Sequence, residues 1–478
     1  MGRFAYNEPE WTGPSPPCRQ RKETSVYTIL PVPKQYAWGS NEHLQRLFHL
    51  PEVAREKPLA EMWYSGHPQS PSTVEIDGRA VPLTHAIGED PDGMVGTRGV
   101  TQFGPQLPFL LKLICAQRPL SLQVHPVGFQ ARAGYNAENL RHVPLDAPER
   151  SFKDMNAKSE MVVALEPFQA SVGFAGRSFA LRNLEGLRSP VAQRMIRALQ
   201  GNGAEGEFDA ADRMLPVDAI VWPEHRKRVF RAFHTAVTAG CLDSGELRDD
   251  LLCSMRTADH ERTRLACDFT LQAADAFPGD PSVLALLMMN PVQLEEGESV
   301  FLPTGVPHAY IHGMGAEIMT NSDNVLRAGM TVKYKDIPNL LHCVDCKPSS
   351  PVDPSDSRLA AFLAGDVVFY RPGVSEYVLA YGHVDAAHGP WPLVSRLARR
   401  YDRLVQQVTG HGYFPHRGPR VVVCTQGAVR CVSERDERIL RQGDAVFVPA
   451  SDGWAHVEPV AGGEAAPEGS YLMASTPF

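Results

Sequence analysis

The sequence predicts a mainly β chain of two related jelly-roll barrels, with a helical block inserted in the first. Three observations carry this. Short apolar segments bounded by Pro and Gly recur toward both ends of the chain, and Leu120, Leu122 and Val124 alternate with Ser121, Gln123 and His125. The segment Leu294–Pro303 (LEEGESVFLP) is matched at constant offset by Leu440–Pro449 (LRQGDAVFVP), the turn-then-strand unit that a double jelly roll repeats. Between Gly176 and Gly279 the apolar spacing changes to a helical period.

The elements follow in order. Residues 1–24 are rich in proline and charge and are expected to form a mobile tail. Tyr27–Pro33 and Leu107–Ile114 are apolar, flanked by turn residues, and predict strands. Period two along 120–125 places Ser121, Gln123 and His125 on one sheet face and the three aliphatic side chains on the other. Ser189 followed by Pro190 predicts a helix start, with the helix continuing to Gln200. Glu224–Ala239 and Glu261–Ala276 predict two more amphipathic helices. Lys347–Ser355 (KPSSPVDPS) has linker composition. The expected organisation is therefore a tail at 1–24, a first barrel from 25–175 plus 280–346, a helical insertion at 176–279, and a second barrel at 356–478.

Composition narrows the function. A chain of 478 residues holds two to four domains at about 100–200 residues each. Its 43% apolar content leaves room for a large core. Lys and Arg number 47 against 55 Asp and Glu, a net charge of −8, which gives no support to a nucleic-acid or anionic-membrane surface. No apolar run approaches the roughly 18 residues of a membrane helix, and the chain begins with a polar segment. Nine cysteines without framework spacing predict free thiols in a reducing compartment, and the lone pair Cys343-x-x-Cys346 is weak evidence for a metal site. The expectation is a cytoplasmic monomer acting on a small molecule.

The chemistry concentrates on a few residues. The first repeat extends as Gly297-x5-Pro303-x-Gly305-x2-His308. This resembles a signature of the cupin superfamily, in which the histidine faces the barrel interior as a metal ligand. The equivalent position in the second repeat is Trp454, which cannot bind a metal, so a metal is expected in the first barrel only. Gln123 and His125 share a strand face, and Glu160 opens the apolar run Glu160–Leu165. Each also has a plain reading: a hydrogen-bonded strand residue for Gln123 and His125, a solvated strand end for Glu160.

The motifs occur in an order that resembles the type I mannose-6-phosphate isomerases, zinc enzymes of the cupin superfamily. They are Pro33–Gly39 (PKQYAWG), Ala60–Trp63 (AEMW) with Gly66-His67-Pro68, Leu107–Lys112 (LPFLLK), Leu120–Pro126 (LSLQVHP), Lys153–Met161 (KDMNAKSEM), Pro307–Gly313 (PHAYIHG) and Glu317–Lys333 (EIMTNSDNVLRAGMTVK). The resemblance implies one Zn²⁺ per chain held by Gln123, His125, Glu160 and His308. It also implies a pocket of Trp38, Ser121, Lys158, Tyr310, Glu317, Asp323, Arg327 and Lys333. One departure stands out: Ala157 occupies the place of a histidine in the family's usual Asn-His-Lys-Pro-Glu.

The activity implied is interconversion of mannose 6-phosphate and fructose 6-phosphate through a cis-enediolate. That chemistry needs a positive centre at the O1/O2 edge and a base over one face. Glu317 is the first choice of base and Lys158 the second, with Tyr310 as a proton relay. Arg327 and Lys333 suit the charged end of the substrate, and Ser121 a hydrogen bond to phosphate. The plain alternative for Glu317 is an ion pair with Arg327. Two other functions fit less of the pattern. One is another metal-dependent cupin enzyme such as an iron dioxygenase, with two histidines and a carboxylate. The other is a non-catalytic sugar-phosphate-binding cupin.

Overall fold

A computed structural model describes residues 25–349, 359–364, 366–386, 391–400, 417–460 and 468–478. The expected tail, 1–24, and most of the expected linker, 350–355, lie outside these residues. Two β-sheets and one helical block make up the fold. The ten-stranded sheet carries the metal-ligand candidates. Its main path runs Met289–Leu294, Phe168–Phe174, His308–Thr320, Phe109–Ala116, Glu61–Ser65, Val32–Lys34. Leu122–Val124, Leu326–Gly329, Glu160–Ala164 and Ser299–Leu302 pair off this path.

The long strand His308–Thr320 organises that sheet. Its first half pairs with Leu122–Val124 and Phe168–Phe174, its second half with Phe109–Ala116 and Glu160–Ala164. Gly313, at φ 122°, lies where the halves meet. A Cβ there would sit 2.3 Å from the Pro167 carbonyl oxygen, so only glycine fits. A register shift between Tyr310 and His312 slips the alternation within the same strand.

The strand expected over Tyr27–Pro33 is two strands in two sheets. Pro31 lacks an N–H and locks φ, so the ladder breaks there. Tyr27–Leu30 pairs with Ala445–Val448 and Thr73–Ile76 in the eleven-stranded sheet, which holds the C-terminal strands. Val32–Lys34 pairs with Glu61–Ser65 in the other. The second expected strand is Phe109–Ala116.

The internal repeat has the same structure twice. Gly297 (φ 79°) precedes Ser299–Leu302, and Gly443 (φ 91°) precedes Ala445–Val448. A Cβ at Gly443 would lie 3.0 Å from the Leu47 carbonyl oxygen, backbone that cannot swing aside. Gly443→Ala is therefore expected to cost about 1–3 kcal/mol, combining left-handed strain with that contact. Urea unfolding should show a lower midpoint with an unchanged slope.

The helical block matches its sequence period closely: Pro190–Gln200, Glu224–Thr238 and Glu261–Ala276 are helices. Ser189 makes no side-chain capping bond, so Pro190 at the first helical position is the operative start signal. The block docks on the first sheet through apolar contacts, among them an edge-to-face pair of Phe174 and Phe233 at 5.3 Å. Seven α-helices outside the block among the described residues, His43–Leu47, Leu83–Glu89, Pro91–Val95, Thr97–Phe103, Gly128–Leu140, Ile337–Cys343 and Pro392–Arg400, were not expected from the sequence; five of them are only five to seven residues long, too short for a period to show. The cysteines among the described residues are all free, and no described helix is long and apolar enough to cross a membrane.

Candidate functional site

Strand ends bring His125, Glu160 and His308 together. His308 and Glu160 open their strands, and His125 directly follows Leu122–Val124. His308 lies in register with Gln123, and Glu160 with Leu302. Glu160 Oε2 is 3.2 Å from His125 Nε2 and 3.3 Å from His308 Nε2. All three residues are at most 1% exposed.

The imidazoles are oriented from behind. His125 Nδ1 is 2.8 Å from the Asn324 carbonyl oxygen, and His308 Nδ1 is 3.0 Å from that of Val306. A carbonyl only accepts, so each Nδ1 carries its proton and each Nε2 presents a lone pair. Burial lowers the His125 pKa to about 4, which keeps the ring neutral. His125 Nε2, His308 Nε2 and Glu160 Oε2 are buried without a hydrogen-bond partner. Three inward-facing acceptors with no donor among them fit a cation. Gln123, whose side chain is a neutral amide, lines the adjoining cavity. The donor set carries a single negative charge, on Glu160, which leaves a divalent ion most of its positive charge. This is the one cluster of three or more His, Cys, Asp or Glu among the described residues. In the second unit, Trp454 is 40% exposed and stacks on His456.

Beside the cluster lies a cavity of about 360 Å³. Every pocket residue named from the sequence lines it: Trp38, Ser121, Lys158, Tyr310, Glu317, Asp323, Arg327 and Lys333. Ala276 and Phe277, at the end of the helical block, close one side. Trp38 stacks on Tyr36 at 5.5 Å, and the Lys333 ammonium sits 4.7 Å from the Tyr36 ring centre.

The plain alternative for Glu317, an ion pair with Arg327, is not what the structure shows. Glu317 Oε2 accepts from Lys112 Nζ at 3.0 Å, and Oε1 accepts from the Tyr310 hydroxyl at 2.7 Å. Lys112 and Glu317 stand directly opposite across two antiparallel strands. Burial raises the Glu317 pKa, with Lys112 pulling the other way. Burial alone would lower Lys112, but Glu317 and Glu61 outweigh it and hold the ammonium above its ordinary value. Among the described residues no hydrogen bond or ion pair engages the Arg327 guanidinium, although the Asp323 charge acts on it. Lys158 Nζ is ion-paired with Glu160 Oε1 at 3.0 Å.

Lys112, Glu61 and Tyr36 belong to the same cavity and carry no role in the reading of the sequence. A signal was present for Lys112: it is the one charge in the otherwise apolar strand Phe109–Ala116, whose every residue is buried. Glu61 lies 3.8 Å from Lys112 and accepts from the Trp63 indole at 2.9 Å.

The relatives of the chain agree with this geometry. Residues 26–176 match the model of the phosphomannose isomerase type I catalytic domain. The chain is 34% identical over 420 residues to the mannose-6-phosphate isomerase of Salmonella typhimurium, covering 88% of this chain and 93% of that protein. It is 36% identical over 323 residues to the Escherichia coli mannose-6-phosphate isomerase, covering 66% of this chain and 74% of that protein. Its fold superimposes on a crystal structure of zinc-bound mannose 6-phosphate isomerase with a TM-score of 0.73 at 24% identity, covering 95% of this chain and all of the other. With its repeat, its helical block and its buried His-Glu-His cluster, the chain belongs to the type I mannose-6-phosphate isomerase family.

Proposed function

We propose that the protein is a zinc-dependent aldose-ketose isomerase that interconverts mannose 6-phosphate and fructose 6-phosphate. The observation that carries this is the set of partnerless acceptors, His125 Nε2, Glu160 Oε2 and His308 Nε2, of which Glu160 reaches the wall of a cavity that also takes in Lys158, Arg327 and Lys333. Those three residues and Gln123 hold one zinc ion in this reading, and the second barrel holds none. When bound, zinc supplies Lewis-acid stabilisation of the charge that develops along the O1/O2 edge of the sugar.

The chain's own residues do the rest. Glu317 takes the C2 proton of the open-chain aldose and returns it at C1 by way of a cis-enediolate. Its buried position raises its proton affinity toward what a base near neutral pH needs. Tyr310 orients this carboxylate through its hydroxyl and is the neighbour able to relay a proton. Both candidate bases have partners, Lys158 in Glu160 and Glu317 in Lys112 and Tyr310; the proton affinity that burial gives Glu317 is what favours it as the base. Arg327 and Lys333, with Ser121, hold the phosphate or the enediolate oxygens. Trp38 walls the sugar site, and Asp323 balances the charge of Arg327. The substrate is a small phosphosugar, and the protein acts as a cytoplasmic monomer without nucleic acid. An iron dioxygenase would share the two histidines and one carboxylate, but the neutral Gln123 beside them and the cationic Arg327 and Lys333 in the cavity suit a phosphosugar instead; a non-catalytic binding protein has only Ala157 in its favour, against the buried metal-ligand set and Glu317.

A coupled assay for fructose 6-phosphate tests the proposal. Activity should vanish with a chelator and return with Zn²⁺; chelator-resistant turnover, or none with zinc restored, overturns it. The base assignment predicts a pH effect. Glu317 must be ionised, so kcat/KM falls as pH drops through its raised pKa. Lys112 opposes that rise, so Lys112→Met should move the acid limb to higher pH as well as lowering turnover. An acid limb unmoved in the variant would remove Glu317 from the role.

A further inference from the structure

Two irregular segments meet behind the metal-ligand cluster, and one side-chain pair joins them. Asn324, fully buried, donates from Nδ2 to the Asp154 carbonyl at 3.0 Å, to Asp154 Oδ1 at 3.1 Å and to the Asn156 carbonyl at 3.0 Å. Its Oδ1 accepts from the backbone N–H groups of Lys153 at 2.7 Å and Asp154 at 3.2 Å. Asp154 Oδ2 accepts in turn from the Ser322 hydroxyl at 3.0 Å and the Asp323 N–H at 2.9 Å. The two side chains are thus a staple between 153–156 and 322–324, where neither segment has a strand ladder to fix it.

What the staple fixes is functional. The main-chain carbonyl of Asn324 is the acceptor for His125 Nδ1. A few residues beyond the staple on one side lie Lys158 and Glu160 and on the other Arg327, and Asp323 sits within it. We propose that Asp154 and Asn324 are positioning residues: they hold the Asn324 carbonyl against His125 and so set the ring's orientation toward the metal, while locking the substrate wall to the ligand set. Neither touches metal or sugar. A carbonyl on a loose loop would let the imidazole rotate, and loss of such outer partners weakens metal affinity by about 10–100-fold.

This rests on the zinc reading, and the test separates the two. Zinc affinity is measured by chelator competition, and ligand geometry by the visible spectrum of the Co²⁺-substituted enzyme, for the parent and for Asn324→Ala, Asp154→Asn and the milder Asp154→Glu. Asp243→Ala is the control, because it removes a helix cap in the helical block, away from the site. The expected result is a 10–100-fold weaker zinc Kd and a shifted cobalt spectrum in the staple variants, with the control like the parent. A parent that binds no zinc sinks the zinc reading. A parent that binds zinc, with folded staple variants within twofold of it and spectrally identical, overturns the staple. Failure of all three variants to fold assigns the pair to folding alone and overturns it equally.

Discussion

His308→Ala leaves a protein that folds, holds no zinc and turns over mannose 6-phosphate on the order of 10³-fold more slowly or worse. The imidazole is one of three buried groups that face one another without donors. Its removal leaves His125 and Glu160 as the remaining members of the close cluster, and Gln123 alone cannot make up the loss. Lewis-acid stabilisation is worth several kcal/mol of barrier, and each 1.4 kcal/mol or so is a factor of ten, which sets the size of the effect. Two measurements check it besides activity. Elemental analysis should read about one zinc per chain in the parent and none in the variant, while Trp454→Ala keeps the parent's value. A chelator should lower the Tm of the parent, because a ligand at 100 times its Kd adds about 2.7 kcal/mol to stability, and leave the variant's Tm unmoved. Near-normal turnover in His308→Ala, or two zinc ions surviving in it, shows that the metal sits elsewhere.

Arg327→Ala lowers turnover by roughly 10²–10³, the range for removing one preorganised donor aimed at developing charge, and Arg327→Lys recovers only part of it. The structure strengthens the case, because Glu317 is taken by Lys112 and Tyr310 and the guanidinium is left to the cavity. Arg327 is in register with Gln123, so the same pair of strands presents it beside the ligand set. Lysine restores the charge without the planar fork that two anionic oxygens accept. Kinetics on two sugars locate the role. If Arg327 holds phosphate, the loss appears with mannose 6-phosphate and spares mannose; if it stabilises the enediolate, both collapse. Unchanged kcat and KM in Arg327→Ala would make it a structural residue only.

Much of this molecule is readable without coordinates because its signals are local. The strand face of Ser121, Gln123 and His125 follows from a period of two. The helices Pro190–Gln200 and Glu261–Ala276 follow from apolar spacing. The repeat shows in two glycines that must adopt left-handed φ before a strand. The asymmetry between His308 and Trp454 is visible in the alignment of the repeat with itself.

Tertiary structure decided what depends on register and on distant partners. Tyr310 and Glu317 are seven residues apart on one strand, and strict alternation would turn them to opposite faces. The register shift after Tyr310 adds the missing step, and their side chains meet at 2.7 Å. Lys112 meets Glu317 because of the way Phe109–Ala116 pairs with the second half of His308–Thr320, across 205 positions of sequence. The orientation of His125 comes from a carbonyl 199 positions away, held by a loop staple no period encodes. The split of 27–34 between two sheets follows from Pro31 together with the strands that happen to flank it. Periodicity and turn chemistry are properties of neighbours in the chain, whereas a charge partner or a ring orientation is a property of neighbours in space.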